Sequence, residues 1–172
     1  NTFNNLTIAG RTSSGISAIS FSANQTINGT LTLSAGTVAT MRTFVQSNTI
    51  GTPRTLTVNN FAAGSADIDF RDITIAGAAA PISGTRFGDC KGNSGVTFPA
   101  AKTVYWRVAA GGNWGAASWS STIGGTADVT QMPLAQDTAV FPSLYPNSAS
   151  TATVNANYNI GTIDMSARDR KS

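Results

Sequence analysis

"LTIAG" at residues 6–10, "LTLSA" at 31–35 and "LTVNN" at 56–60 are three versions of one apolar-Thr-apolar stretch, each beginning 25 residues after the one before. A fixed interval of that size marks a repeat architecture. Blocks of 25 written without gaps put Leu6, Leu31 and Leu56 in one column and Ile8, Leu33 and Val58 two places on; Ile16, Met41 and Ala66 share another. The runs Ile19–Phe21, Met41–Val45 and Ile68–Phe70 give each block a second apolar segment. Ile27, Ile50 and Ile73–Ile75 give a third once offsets of a residue or two are allowed. Apolar residues alternating with Thr bury one face of a pleated strand, and the Gly, Asn, Ser and Pro between the runs punctuate turns. Three strands per block and one block per turn describe a parallel β-solenoid with coils about 4.8 Å apart. The expectation is therefore that Leu6, Leu31 and Leu56 stack in adjacent coils. A β-sandwich or jelly roll is the alternative. Its antiparallel neighbours favour Asn-Gly or Asp-Gly at two-residue hairpins, and a single such pair occurs, Asn28–Gly29.

Composition agrees with an all-β chain. Of 172 residues 11% are charged, against about a quarter in an ordinary domain, and all eight acids are Asp. Glu, a helix former, is absent, as is His. The net charge of +3 comes from Arg and Lys scattered along the chain, with one cluster at Arg168, Arg170 and Lys171. A nucleic-acid binder needs a basic stripe interleaved with aromatics, and none is present. No apolar stretch approaches the 18 or so residues of a membrane span. Cys90 is alone, so no internal disulfide forms. Asn5-Leu6-Thr7, Asn24-Gln25-Thr26 and Asn28-Gly29-Thr30 fit the N-glycosylation pattern, which an Asn- and Thr-rich composition produces on its own. Opening on Asn and breaking off in "ARDRKS", the chain reads as a processed or trimmed piece of something longer.

Three regions follow. Residues 1–80 hold the repeat; 81–102, "PISGTRFGDCKGNSGVTFPAAK", read as a Gly/Pro-rich loop or irregular coil; 103–172 form a Trp-containing β segment or cap, with β signals at Thr138–Phe141 and in the alternating Val154, Ala156, Tyr158, Ile160, followed by Ile163 and Met165. In this last region "GGNWGAASWS", "MPLAQDTAVF" and "TVNANYNIGTIDMS" resemble the Gly-rich Trp…Trp, Asp-x-Ala-Val-Phe and Ile-Gly-x-Ile pattern of β-helical bacterial surface proteins such as autotransporter adhesins, and are similar to bacteriophage fibre and tail proteins. The resemblance spans Trp106 to Ser166. It implies a virion or cell-surface fold, extracellular and assembled with copies of itself, rather than a reaction, and it implies structural roles for Trp114, Trp119, Asp137 and Phe141.

The candidate chemistry is sparse. "GDCKGNSG" at 88–95 is similar to the surround of a nucleophilic serine, but such a serine needs a base and the chain has no His; a Ser94–lysine pair with Lys91 or Lys102 has nothing to position it, and a Gly-rich turn is the simpler reading. Asp67, Asp69 and Asp72 are the densest acidic group. Asp67 and Asp69 point the same way on a strand, roughly 7 Å apart, and with Ile68 and Phe70 facing inward they are expected at solvent. That spacing suits an inverting glycosidase, the chemistry of a polysaccharide-degrading tail spike; a bound calcium ion or simple surface charge beside Arg71 are the other readings. Nitrogen and sulfur metal sites and phosphate loops have no ligands or motif here, so no cofactor or metal is expected. Trp106, Trp114 and Trp119 are candidates for stacking on a host glycan, in a lectin-like role, or for packing in a core. The leading expectation is a non-enzymatic structural or adhesive module of a virion or bacterial surface.

Overall fold

The computed structural model describes residues 1–143 and 150–168; Arg170 and Lys171 of the basic cluster lie outside them. The chain is all-β, with a single 3-10 turn at Val129–Gln131 among the described residues, and no helix is long and apolar enough to cross a membrane. Its first part runs through β1 (Thr2–Phe3), β2 (Leu6–Ile8), β3 (Gly15–Phe21), β4 (Gln25–Leu33), β5 (Met41–Ser47), β6 (Arg54–Phe61), β7 (Ile68–Arg71), β8 (Ile73–Ala76), β9 (Ile82–Ser83), β10 (Gly88–Asp89) and β11 (Val96–Thr97). From β2 to β8 successive strands go alternately to two sheets, while β9 and β11 form a separate pair. One has β1 and β2 side by side on β4, then β6 and β8; the other is β3, β5, β7 and β10. Every pairing of these strands is parallel.

The alternation explains the core. Ile27, Leu31, Leu56, Val58, Ile73 and Ile75 of the first sheet face Val45, Ile68 and Phe70 of the second, with Phe87 beneath them, and all are buried. The intervening Thr26, Thr57 and Thr74 point outward, where a hydroxyl stays hydrated. The second apolar run of each block lies in register as expected, Ile19 beside Val45 and Val45 beside Phe70. Leu6 likewise lies beside Leu31 and Ile8 beside Leu33.

Leu56 departs from the expected stack: it pairs with Gln25, and Leu31 pairs with Phe61. Paired positions of β4 and β6 are 30–31 residues apart against 25 between β2 and β4, and Asn28–Gly29, which forms a bulge within β4 in place of a hairpin turn, changes that offset by one. A Cβ at Gly29 would sit 2.5 Å from the Asn4 carbonyl oxygen, so glycine alone lets the bulge seat against the preceding turn, and the Asn5 side chain accepts from Thr30 N–H at 2.8 Å. The third run is also corrected. Ile27 and Ile73–Ile75 belong to the first sheet, whereas Ile50 is 76% exposed in a turn. Residues 81–102 continue the first part as an irregular coil: β10 pairs with β7, β11 with β9, and Ile82 and Phe87 are buried in the first core.

The remaining strands are β12 (Thr103–Trp106), β13 (Gly112–Asn113), β14 (Trp119–Ser120), β15 (Thr138–Val140), β16 (Ala152–Thr153) and β17 (Thr162–Asp164). They form a sheet ordered β14-β12-β15-β17 and a β13–β16 pair. Only β14 runs antiparallel, against β12. A second core holds Val104, Trp106, Trp114, Trp119, Met132, Ala139 and Phe141. The expected strand from Val154 to Ile160 is absent. That segment instead lies over the outer face of the β3-β5-β7-β10 sheet, with the Ala156 methyl 2.9 Å from where a Cβ on Gly15 would be and Asn159 bonded to Asp69.

Candidate functional site

Asp69 lies on the face of β7 opposite Ile68 and Phe70, and Asp67, at the left-handed corner just before β7, turns its carboxylate to the same side, where both meet Arg42. That face does not meet solvent. The returning residues Ala135 and Asn159 cover it at Asp69 and Arg86 covers it at Asp67, leaving Asp67 3% and Asp69 0% exposed. Arg42, one strand away on β5, stands in the same register as Asp67, since Thr43 pairs with Ile68, and is itself 2% exposed. Its Nε donates to Asp69 Oδ1 at 3.0 Å, its Nη2 to the same oxygen and to the Arg86 carbonyl, and its Nη1 to Asp67 Oδ1 at 3.3 Å. Arg86 grips Asp67 with two parallel bonds of 2.7 Å, and Asn159 Nδ2 donates to Asp69 Oδ2 at 3.0 Å. Asp67 and Arg86 both have left-handed backbone, φ 60° and 53°. The parallel Ala66–Thr85 bridge immediately precedes them and sets one beside the other.

All four oxygens of the pair therefore accept from nitrogen donors. A general acid or base must reach a glycosidic oxygen or a water between the carboxylates. Here a guanidinium fills that place and protein covers it, so the geometry gives neither a glycosidase pair nor an open calcium site. Asp72 is not part of the cluster; it is buried at a corner with φ 53°, where it accepts from Gly51 N–H at 2.9 Å and lies 3.8 Å from Arg71 Nε. Burial works against the Arg42 charge, but Asp69, through its charge and hydrogen bond, and then Asp67 outweigh it and hold the guanidinium above its ordinary pKa.

Cys90 lines a cavity of about 320 Å³ with Asp89, Lys91, Ala135 and Asn159 at the seam between the two parts. Burial, then the Asp69 carboxylate, push its thiol up to about 12, with Arg42 opposing. The native thiol is therefore protonated at pH 8, and alkylation by iodoacetamide there is expected to be at least about tenfold slower than in guanidinium-unfolded chain, since the thiolate is the nucleophile. Equal rates would show that the seam is open. The sign for stability follows: above pH 9 the unfolded chain loses this proton while the folded chain keeps it, so stability falls between pH 9 and 12 by up to about 1.4 kcal/mol per unit.

The "GDCKGNSG" stretch is the Gly-rich turn. Lys91, Gly92 and Gly95 all have left-handed backbone, and Asn93 ties the turn to β7 by donating to the Phe70 carbonyl at 2.9 Å. Ser94 bonds to Thr74, Lys91 lies 3.4 Å from Asp89, and Lys102 lies 3.1 Å from Asp137, so no Ser–Lys pair forms. Asp137 itself is 1% exposed and accepts from Lys102 and Leu134 N–H, holding the loop before β15.

The three tryptophans face inward. Trp106 and Trp119 are 0% and Trp114 4% exposed; Trp119 meets Trp106 edge-on at 5.2 Å and Trp114 at 4.6 Å, and Phe141 stacks on Trp106 at 5.4 Å. The indole N–H groups of Trp106 and Trp119 donate to the carbonyls of Val108 and Trp114. No indole face is presented to a sugar. Trp114 and Phe141 instead underlie a groove of about 380 Å³ whose sides are Val154, Ile163 and Met165. Arg42, Arg86 and Asn159 escaped the sequence reading, although Arg42 follows Met41 in the same column arrangement that aligns Met41 with Ala66.

No protein-family model, curated protein or solved structure matches the chain.

Proposed function

We propose that the chain is a non-enzymatic β-solenoid module, structural or adhesive, of a virion or bacterial cell surface. The observation that carries this reading is how the polar side chains are used: the carboxylates a hydrolase would need are saturated by Arg42, Arg86 and Asn159 and serve to fasten the returning segment to the sheet. The alternation of β2 to β8 between two parallel sheets around one core favours the solenoid, because over that stretch each further pair of strands extends both sheets by one. A stiff scaffold of small polar residues and few charges suits a part that is displayed and assembled, with host glycans and other surface proteins as its contacts. Immunogold labelling of intact particles and cells from the source, with antibody against this chain, is expected to mark their surface. Labelling confined to the cell interior would overturn the reading. New reducing ends released from capsular polysaccharide by the purified chain would replace it with a depolymerase.

A further inference from the structure

In the second sheet the inward-facing ranks run across β12, β15 and β17. Val104, Ala139 and Ile163 form one rank, with exposures of 0%, 0% and 49%; Trp106, Phe141 and Met165 form the next, with 0%, 6% and 57%. Both ranks stop at β17 with their last side chain half in water, beside Val154, which is 63% exposed. Among the described residues the backbone pairing stops there too. Thr162 N–H bonds to the Asp137 carbonyl and the Asp164 carbonyl accepts from Phe141 N–H, so alternation turns the Ile163 N–H and C=O toward the open edge.

Among the described residues β2 offers a second open edge. β2 pairs only with β4, and the Ile8 carbonyl accepts from Ser34 N–H, which turns the Thr7 N–H and C=O outward. Leu6 and Ile8 point inward two residues apart, and half-buried Phe3 and Phe21 sit at the same rim. Setting Leu6 opposite Ile163 and Ile8 opposite Met165 continues both inward ranks in parallel. It also lets Thr7 N–H donate to the Ile163 carbonyl and Ile163 N–H donate to the Asn5 carbonyl. No charged residue of β2 faces Asp164. Each partner's apolar spacing, backbone phase and strand direction fit the other.

We infer that β17 of one molecule receives β2 of a second copy, a heterologous contact in which each molecule offers two different edges. The inference rests on the displayed-module reading and names its partner. The exposed apolar area at Val154, Ile163 and Met165 is a few hundred Å² at most, well below the roughly 800 Å² per partner of a standard interface, so the contact is that of an added strand and forms at micromolar concentration.

Sedimentation velocity of the full chain tests it. The parent's weight-average mass is expected to rise at least about twofold above 17.7 kDa between about 1 and 100 µM. Thr7→Pro and Ile163→Pro each remove one outward N–H without touching a bond inside the molecule, a place where edge strands tolerate proline; each alone is expected to remain monomeric. Mixed in equal amounts they should give a dimer and nothing longer, because one intact edge remains on each. Ile163→Lys and Leu6→Ala serve where a proline variant does not keep the parent's far-UV circular dichroism. A parent that stays monomeric overturns the inference and leaves the β17 edge to a strand of another protein. Association of Thr7→Pro alone overturns it in favour of a symmetric β17–β17 contact, and a mixture that stays monomeric overturns it outright. Each of these failures leaves surface labelling untouched, so the module reading stands or falls separately.

Discussion

Arg42→Ala is expected to destabilise the chain by about 3–5 kcal/mol, read as a lowered guanidinium midpoint, because it leaves two buried carboxylates without their shared cation. The guanidinium supplies bonds to Asp69 and Asp67 and to the Arg86 carbonyl from a position only 2% exposed. Solvent cannot enter to replace them while Ala135, Asn159 and Arg86 stay in place. Arg86→Ala is expected to cost less, since the Arg86 side chain is 27% exposed and water can take over part of its role. Replacing Arg42, Asp67 and Asp69 together by apolar residues of similar volume is expected to be far milder than Arg42→Ala alone, because a buried ion group roughly balances its desolvation against its attraction. An Arg42→Ala cost below about 1 kcal/mol would mean that the returning segment does not seal the sheet.

Trp106→Ala should cost about 3–5 kcal/mol, the range for removing a fully buried large aromatic. Its ring touches Trp119 and Phe141, and its N–H is satisfied by the Val108 carbonyl, so truncation leaves a cavity at the centre of the second core. The loss is expected in thermal unfolding and in a red shift of tryptophan emission as Trp119 becomes hydrated. Emission of the parent is expected to be blue-shifted and unmoved by added oligosaccharides. A sugar-dependent shift would restore the glycan-stacking role that burial removes.

Period-two alternation and the 25-residue interval were enough to reach the parallel sheets, since the contacts Leu6–Leu31 and Ile19–Val45–Phe70 connect neighbouring circuits and depend only on local pattern. The bulge at Asn28–Gly29 was not legible, because the same dipeptide serves a hairpin turn and a bulge within a strand, and only the neighbouring Asn4–Asn5 turn decides between them. The acidic face was assigned correctly to the side away from Ile68 and Phe70, but its cover arrives from Asn159 and its neighbours, some 90 residues later. Strand alternation gives a side chain its direction and says nothing of what lies beyond it. The tryptophans carried the converse ambiguity: spacings of five and eight residues do not tell a core from a platform, and mutual edge-on packing settles it.

Paired residues of the first part are 25 apart at Leu6–Leu31 and 31 apart at Gln25–Leu56, then 19 apart at Arg54–Ile73 and 14 apart at Ile82–Val96, so the spacing shortens from β6 onward. The narrow end is filled by Phe87 and Phe98 against Phe70, at 5.2 and 6.0 Å. Closing a 14-residue loop instead of a 25-residue one saves only about 0.5 kcal/mol of chain entropy. The aromatic burial gained at the same step is several times larger, so the two advantages fall on the same residues. Folding is therefore expected to nucleate around Phe70, Phe87 and Phe98 and to wind backward, against the direction of synthesis, with β1 and β2 the last strands to dock.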